Sequence, residues 1–390
     1  MRNTLLKTGK DSPKERVSAL IEATSEKDLK LMVISDPKHI YYFTGFATYK
    51  PRFSSYLIIE DSERATLLLG ESEARSAETI FKGNMVTFKD YDLNERMIAY
   101  PDYVSEQLQS KLGAITKQSI TGKIGIEDWH LSKRNIETLR QMYGSSSSFS
   151  DLSETILHLR KTKGKDEVAF LKQAASRIDQ AFKLAAPLVK EGISEHDVYC
   201  AINTGILRKH GAFGFWENPT VFGDYVSGLR TLKRGGPPTR RRIKRGDTLI
   251  LDLQTRVGNY WCDTTRTFVV GRKSVEQQKV FKTLTRALKI VEEMLRPGTK
   301  GREIFQAISK TFVDSGFNPP SSHMGHGVGL DDQEPPFFLP NSNEELEEGV
   351  VCAIEPGIYD SSSGGIRIEE EYLITHDGFQ KLSRAPLFNS

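Results

Sequence analysis

Apolar residues recur along this chain at two spacings. From Lys165 to Leu188 they fall at Val168, Leu171, Ala174, Ile178, Ala181 and Leu184. That three-to-four-residue interval lays one stripe along a helix. Similar stripes predict helices at Ser274–Met294 and Gly301–Ser315, parted by Pro297-Gly298. Ser194-Glu195-His196-Asp197 has the form of a capping box opening another helix. That makes His196 a first-turn residue, not a ligand. Before residue 155 the pattern changes to short apolar runs. Leu29–Ile34, Ser55–Glu60, Ala65–Leu69, Met85–Phe88 and Lys123–Glu127 read as strands. Helical patterns start at Ser12-Pro13, within Asp36–Phe46, near Val104–Leu112 and at Ser132–Met142. This alternation predicts an α/β layer domain. It holds no glycine-rich phosphate loop, and its His39 and His130 are isolated, with surface or hydrogen-bonded roles expected. Gly144–Ser148 is a polar tract that marks a linker. The expected domains are 1–155 and 156–390.

In the second domain, Thr248–Leu251 leads into Asp252, and a second β-rich run contains Asp263. Val257-Gly258 lies where the chain must reverse. With those two as the loop, Asp252 faces Asp263, their Cβ atoms about 4.5–5.5 Å apart. Two like charges flanked by apolar residues call for a cation between them. Val350–Ile354 leads to Glu355, the tract 360–365 reverses the chain, and Ile366-Arg367-Ile368 leads to Glu369. Glu355 and Glu369 are equally spaced about Ser362, so they too are expected to face each other. Gly325-His326-Gly327-Val328-Gly329 presents one histidine with little steric cover. Two hairpins with paired carboxylates suggest an internally duplicated domain around one metal site. Oxygen-rich donors with one imidazole suit Mn²⁺, Co²⁺ or Fe²⁺ and are compatible with Zn²⁺.

Asp252, Asp263, His326 in GHGVG, Glu355 in IEPG and Glu369 in RIE resemble the five metal ligands of the pita-bread metallohydrolases. That superfamily holds the methionine aminopeptidases, Xaa-Pro aminopeptidases, prolidases and creatinases. The tracts DTTRTF and IEPGIY are similar to it as well. The resemblance is close over 155–390 and looser before it. It implies a creatinase-type, ribonuclease-H-like α/β N-terminal domain and an α+β pita-bread domain with internal pseudo-twofold symmetry. It implies two divalent ions bridged by Asp263 and Glu369, with Asp252 on one and His326 and Glu355 on the other. The implied reaction is hydrolysis of a C–N amide bond by metal-bound hydroxide, with Glu355 moving the proton. A homodimer is implied too. Of the remaining catalytic candidates, His323 touches substrate or lines the site wall, and Arg367 braces a ligand carboxylate or holds an anionic group.

Two positions depart from the peptidases. The slot of their Pro-His histidine falls on Gly235, and Gln333 stands where a second histidine precedes an acidic residue. Glutamine can hydrogen-bond a carbonyl but cannot carry positive charge. Three readings follow: an Xaa-Pro peptidase, a non-peptide amidohydrolase or lyase of creatinase, ectoine hydrolase or dimethylsulfoniopropionate lyase type, or a scaffold without catalysis. The complete ligand set argues against the last.

At 390 residues two domains are expected, and 38% hydrophobic with 27% charged residues fits a soluble globular chain. A net charge of +3 is too small to argue for nucleic acid. Eight basic residues crowd 230–245, without the interleaved aromatics of a nucleic-acid groove. They fit a solvated loop, an anionic small substrate or a partner subunit. Cys200, Cys262 and Cys352 are odd in number and far apart, which fits the cytosol. No secretory h-region and no membrane-length apolar stretch is found.

Overall fold

Leu29–Ile34 (β1) is the strand its apolar run predicts, and a mixed sheet is built outward from it. The structure is a computed structural model that describes residues 10–48, 55–89, 109–113, 122–143, 148–210 and 221–387. Tyr56–Ile59 (β2), Ala65–Gly70 (β3), Asn84–Phe88 (β4), Lys123–Ile126 (β5) and Ser148–Asp151 (β6) complete that sheet in the order β4-β3-β2-β1-β5-β6. β2 pairs antiparallel with β1 and β3; the other pairings are parallel. Helices Pro13–Ala23 (α1), Pro37–Thr44 (α2), Glu71–Ile80 (α3), Lys133–Tyr143 (α4) and Ser153–Lys161 (α5) accompany it. Ser12 caps α1, its hydroxyl accepting from the Glu15 amide. Leu31, Val33, Ile58, Leu68, Ile124 and Leu139 form the core of this unit. His39 is buried and hydrogen-bonded, donating to Glu127 and accepting from Arg160 at 2.8 Å. Position 155 lies inside α5, and the compact units are Met1–Arg160 and Lys161–Ser390. Most of the helix expected at Val104–Leu112, and residues 144–147 of the polar tract, lie outside the described residues.

The second unit opens with Lys165–Ala185 (α6), the long helix its apolar stripe predicts. Glu195–His210 (α7) packs on it. Ser194 and Asp197 cap α7 reciprocally, each backbone N–H meeting the other's side chain at 3.1 Å. Val275–Glu292 (α8) and Gly301–Asp314 (α9) form a second packed pair. Their apolar faces, with Leu284, Leu288, Ile304, Ile308 and Phe312, close over Cys352, Ile354, Ile366 and Tyr372. Phe222–Ser227 (β7), Thr248–Val257 (β8) and Tyr260–Val269 (β9) form one antiparallel sheet. A five-stranded sheet runs Glu334–Phe337 (β11), Gly325–Gly327 (β10), Val351–Ile354 (β12), Glu370–Ile374 (β15) and Phe379–Lys381 (β16). Gly357–Asp360 (β13) and Gly364–Arg367 (β14) make a separate hairpin. No helix among the described residues is long and apolar enough to cross a membrane.

One expected pairing is corrected. The β8–β9 turn is Gly258-Asn259, not Val257-Gly258, because both hold positive φ, 54° and 64°. A two-residue turn of that hand fits the strand twist, and glycine and asparagine tolerate it. Val257 therefore pairs with Tyr260, and the whole register moves. Asp252 faces Thr265 and Asp263 faces Gln254. The two aspartates keep one face but sit diagonally, which removes the head-on like-charge pair.

Candidate metal centre

The five sequence candidates come from two hairpins and one further strand, and local geometry aims each of them. Asp252 and Asp263 project from one face of the β8–β9 hairpin. In β13–β14, Gly357 pairs with Arg367, the register that puts Glu355 and Glu369 opposite each other just past the ladder. The Ile368 amide donates to the Pro356 carbonyl there. Thr265 and Thr267 stitch this hairpin to β9. Thr265 Oγ1 donates to Glu369 at 2.8 Å, and Thr267 Oγ1 donates to the Arg367 carbonyl at 2.7 Å. His326 stands in β10, between β11 and β12. Gly325 permits that close pairing, because a Cβ there would lie 2.1 Å from the Ala353 carbonyl oxygen.

Asp263, His326 and Glu369 hold ligand atoms that all lie within 4.8 Å of one another. His326 Nε2 is 3.9 Å from Asp263 Oδ2 and 3.5 Å from Glu355 Oε1. His326 Nδ1 lies 3.0 Å from the Gly327 carbonyl, so it must donate, leaving the lone pair on Nε2. Burial pulls the His326 pKa down to about 4, so the ring is neutral at pH 7. Asp252 Oδ1, Asp263 Oδ1, Glu355 Oε1 and Glu369 Oε1 are each buried with no hydrogen-bond partner. Such groups are costly in an apolar interior and are normally satisfied. One orphaned oxygen on each of four converging carboxylates, facing an imidazole lone pair, fits divalent cations.

Electrostatics agree. Burial pushes Glu355 up to about 7. Burial, then the charges of Glu369 and Asp252, raises Asp263 well above the usual carboxylate range. Glu369 is raised by burial and by Asp252 and Glu355. Burial is the largest influence on Asp252 and raises it, but the Arg367 guanidinium together with Asp263, Thr265 and His326 holds that carboxyl low. Arg367 bonds Asp252 and donates to Thr265 Oγ1 at 3.1 Å and Tyr359 Oη at 3.0 Å. Of the two roles expected for it, this contact with Asp252 fits the bracing one. His323 Nδ1 lies 3.2 Å from Glu355 Oε1. Gln333 is exposed in the turn before β11, and among the described residues no hydrogen bond or ion pair joins it to this cluster.

Three neighbours were not foreseen. Gln254 donates to Asp263 at 2.8 Å. Tyr359 meets Arg367. Asp224 faces Asp252 across β7–β8 and lies 3.4 Å from Arg367. Burial and the Asp252 charge raise the Asp224 pKa. Asp224 also accounts for Gly235, since a Cβ at 235 would sit 2.1 Å from its Oδ2. Alternation along Phe222–Ser227 carries the signal for Asp224, but only once β7 is paired with β8.

A pita-bread domain with buried, cation-seeking carboxylates defines a metal-dependent hydrolase of the peptidase type. Comparison with known proteins agrees. The profile of metallopeptidase family M24 matches residues 169–376, and that of the creatinase/prolidase N-terminal domain matches 16–162. The chain belongs to metallopeptidase family M24. It is 30% identical over 372 residues to an Xaa-Pro dipeptidase of Pyrococcus furiosus, covering 95% of this chain and 98% of that one. An uncharacterized peptidase of Staphylococcus aureus is 26% identical over 370 residues, covering 94% and 98%. Among solved structures, the prolidase from Pyrococcus furiosus superposes with a TM-score of 0.77 at 28% identity, covering 94% and 99%. The Pyrococcus horikoshii prolidase gives 0.79 at 27% identity, covering 95% and 99%.

Proposed function

We propose that this chain hydrolyses the amide bond of Xaa-Pro peptides with two divalent metal ions held by Asp252, Asp263, His326, Glu355 and Glu369. The orphaned oxygen on each of the four carboxylates carries this reading. Bound divalent ions would supply Lewis acidity and water acidified to near neutral pH. The carboxylates of Asp252, Asp263, Glu355 and Glu369 and the Nε2 lone pair of His326 would hold the ions. Glu355 is assigned to take a proton from water and pass it to the leaving nitrogen. Arg367 fixes the rotamer of Asp252 and keeps it ionised. His323 supports Glu355 from the rim. Manganese, cobalt or iron suits the donor set better than zinc. Similarity to the Pyrococcus furiosus dipeptidase supports the Xaa-Pro substrate. A homodimer follows from the family resemblance, and a cytosolic location is supported by three unpaired cysteines.

A second reading keeps the centre and changes the substrate to a non-peptide amide. Gly235, with Asp224 filling the space beside it, favours this. Metal-loaded enzyme assayed on Xaa-Pro dipeptides and tripeptides, and on cyclic amides and betaine-like compounds, separates the two. Inertness on every peptide would end the first reading. Asp263→Asn tests the centre itself, and is expected to lose bound metal and activity together. Wild-type metal content in that variant would contradict the assignment.

A further inference from the structure

Strand alternation fixes what lies beside the metal centre on the β7–β8–β9 sheet. Cross-strand pairing puts Asp224, Asp252 and Thr265 in one row of the ligand-bearing face, and Phe222, Gln254 and Asp263 in the next. The row after that holds Arg256 and Trp261. It lies two residues beyond the row of Asp263, about 7 Å along the strand. The face that carries both aspartates therefore continues into an arginine and two aromatic rings.

Arg256 is held in place but left unpaired. Its guanidinium lies 4.6 Å from the centre of the Trp261 ring, and that ring lies 6.3 Å from Phe222, centre to centre. All three side chains are partly buried. The Arg256 carbonyl accepts from Arg177 Nη1 at 2.8 Å, and the Trp261 amide donates to the Gly329 carbonyl at 2.8 Å, so the backbone is fixed on both strands. Among the described residues the Arg256 side chain makes no hydrogen bond and no ion pair, and its Nε is buried without a partner. A buried donor in that state is costly and is normally satisfied. Burial pulls the Arg256 pKa down, and the Asp332 charge opposes that without pairing.

We propose that Arg256, stacked on Trp261, selects an anionic side chain on the acyl half of the substrate. The inference rests on the amide-hydrolase reading and names the kind of residue that site favours. Direction follows from the proton path. Glu355, assigned to the leaving nitrogen, lies 4.0 Å from Arg367, which bonds Asp252. Arg256 stands on the far side of Gln254 from Asp252 on the same strand. The leaving half thus lies toward Asp252, and the acyl half toward Arg256. An unpaired guanidinium fork takes a carboxylate through two parallel N–H···O bonds. The Trp261 and Phe222 rings cover the methylenes that carry it.

Glu-Pro and Gln-Pro differ in charge and hardly in shape. The Mn²⁺-loaded wild type is expected to cleave Glu-Pro with a kcat/KM about tenfold above that for Gln-Pro, the scale of one charge-assisted contact. Arg256→Gln should bring that ratio near one, and Arg256→Lys should keep part of it. Calorimetric titration of the same proteins with L-glutamate and L-glutamine reads the contact without turnover, and the same order is expected. Equal kcat/KM for the two dipeptides in the wild type, or an unchanged ratio in Arg256→Gln, overturns the proposal and leaves the peptidase reading intact. Tighter binding of glutamate that vanishes in Arg256→Gln, in a protein that cleaves neither dipeptide, leaves the anion site standing and removes the peptidase reading.

Discussion

Replacing Arg367 by methionine takes away the guanidinium that sits among the acidic side chains. Arg367 is 6% exposed. Besides bonding Asp252, it lies 3.4 Å from Asp224 and 4.0 Å from Glu355. Methionine fills much of the same volume, so the charge and its hydrogen bonds are what is lost. In metal-free protein those carboxylates then face one another uncompensated. Removing one partner of a buried pair costs about 3–5 kcal/mol. With divalent ions bound, the carboxylates keep a stronger counter-charge, and the loss shrinks to the hydrogen bonds, about 1–2 kcal/mol. Urea unfolding of chelated and metal-saturated protein measures both values. By linkage, the difference of about 2–3 kcal/mol must reappear as metal affinity roughly 30- to 150-fold tighter in the variant. Activity should fall nonetheless, because Asp252 is no longer oriented. Equal destabilisation with and without metal, or unchanged affinity, would refute the view of Arg367 as a stand-in counter-ion.

Restoring a histidine at position 235 should fail on its own. Its Cβ would meet Asp224 at 2.1 Å, so Gly235→His should destabilise by about 1–3 kcal/mol. Thermal unfolding should show recovery when Asp224→Ala is added, and no recovery would mean the space is closed by something else. Glu355 gives a pH signature in chelated protein. Its folded pKa is raised from 4.5 to about 7, so its contribution is present below pH 4.5 and lost as pH rises through 7, on the order of 3 kcal/mol. The stability difference between wild type and Glu355→Gln isolates that loss; a flat difference from pH 4.5 to 8 counts against it. Metal affinity of the wild type should rise over the same interval, because the proton must leave before the ion binds. A Glu355→Gln variant with an equally steep rise would assign that proton to another group.

Much of this molecule was readable from hydrophobic periodicity. α6, α8 and α9 carry continuous apolar stripes, and β1, β2 and β3 are apolar runs bounded by polar turns. β6, with the sequence Ser-Phe-Ser-Asp, was hidden because an edge strand needs little apolar content. The candidate carboxylates were legible because acidic residues amid apolar ones are conspicuous. Pairing was legible only where the turn was. The count about Ser362 matches the observed β13–β14 register, whereas the β8–β9 count slipped by one residue at Gly258-Asn259. Asp224, Gln254 and Tyr359 were missed for a different reason. Their place beside Asp252, Asp263 and Arg367 depends on cross-strand register and on the contact between separate hairpins, which local patterning does not encode.

The most direct test of the five-residue centre is anomalous diffraction at the manganese edge from crystals grown with Mn²⁺. Two peaks about 3.5–4 Å apart are expected among Asp252, Asp263, His326, Glu355 and Glu369. A map without a peak there, or with manganese held only elsewhere on the chain, would contradict the assignment.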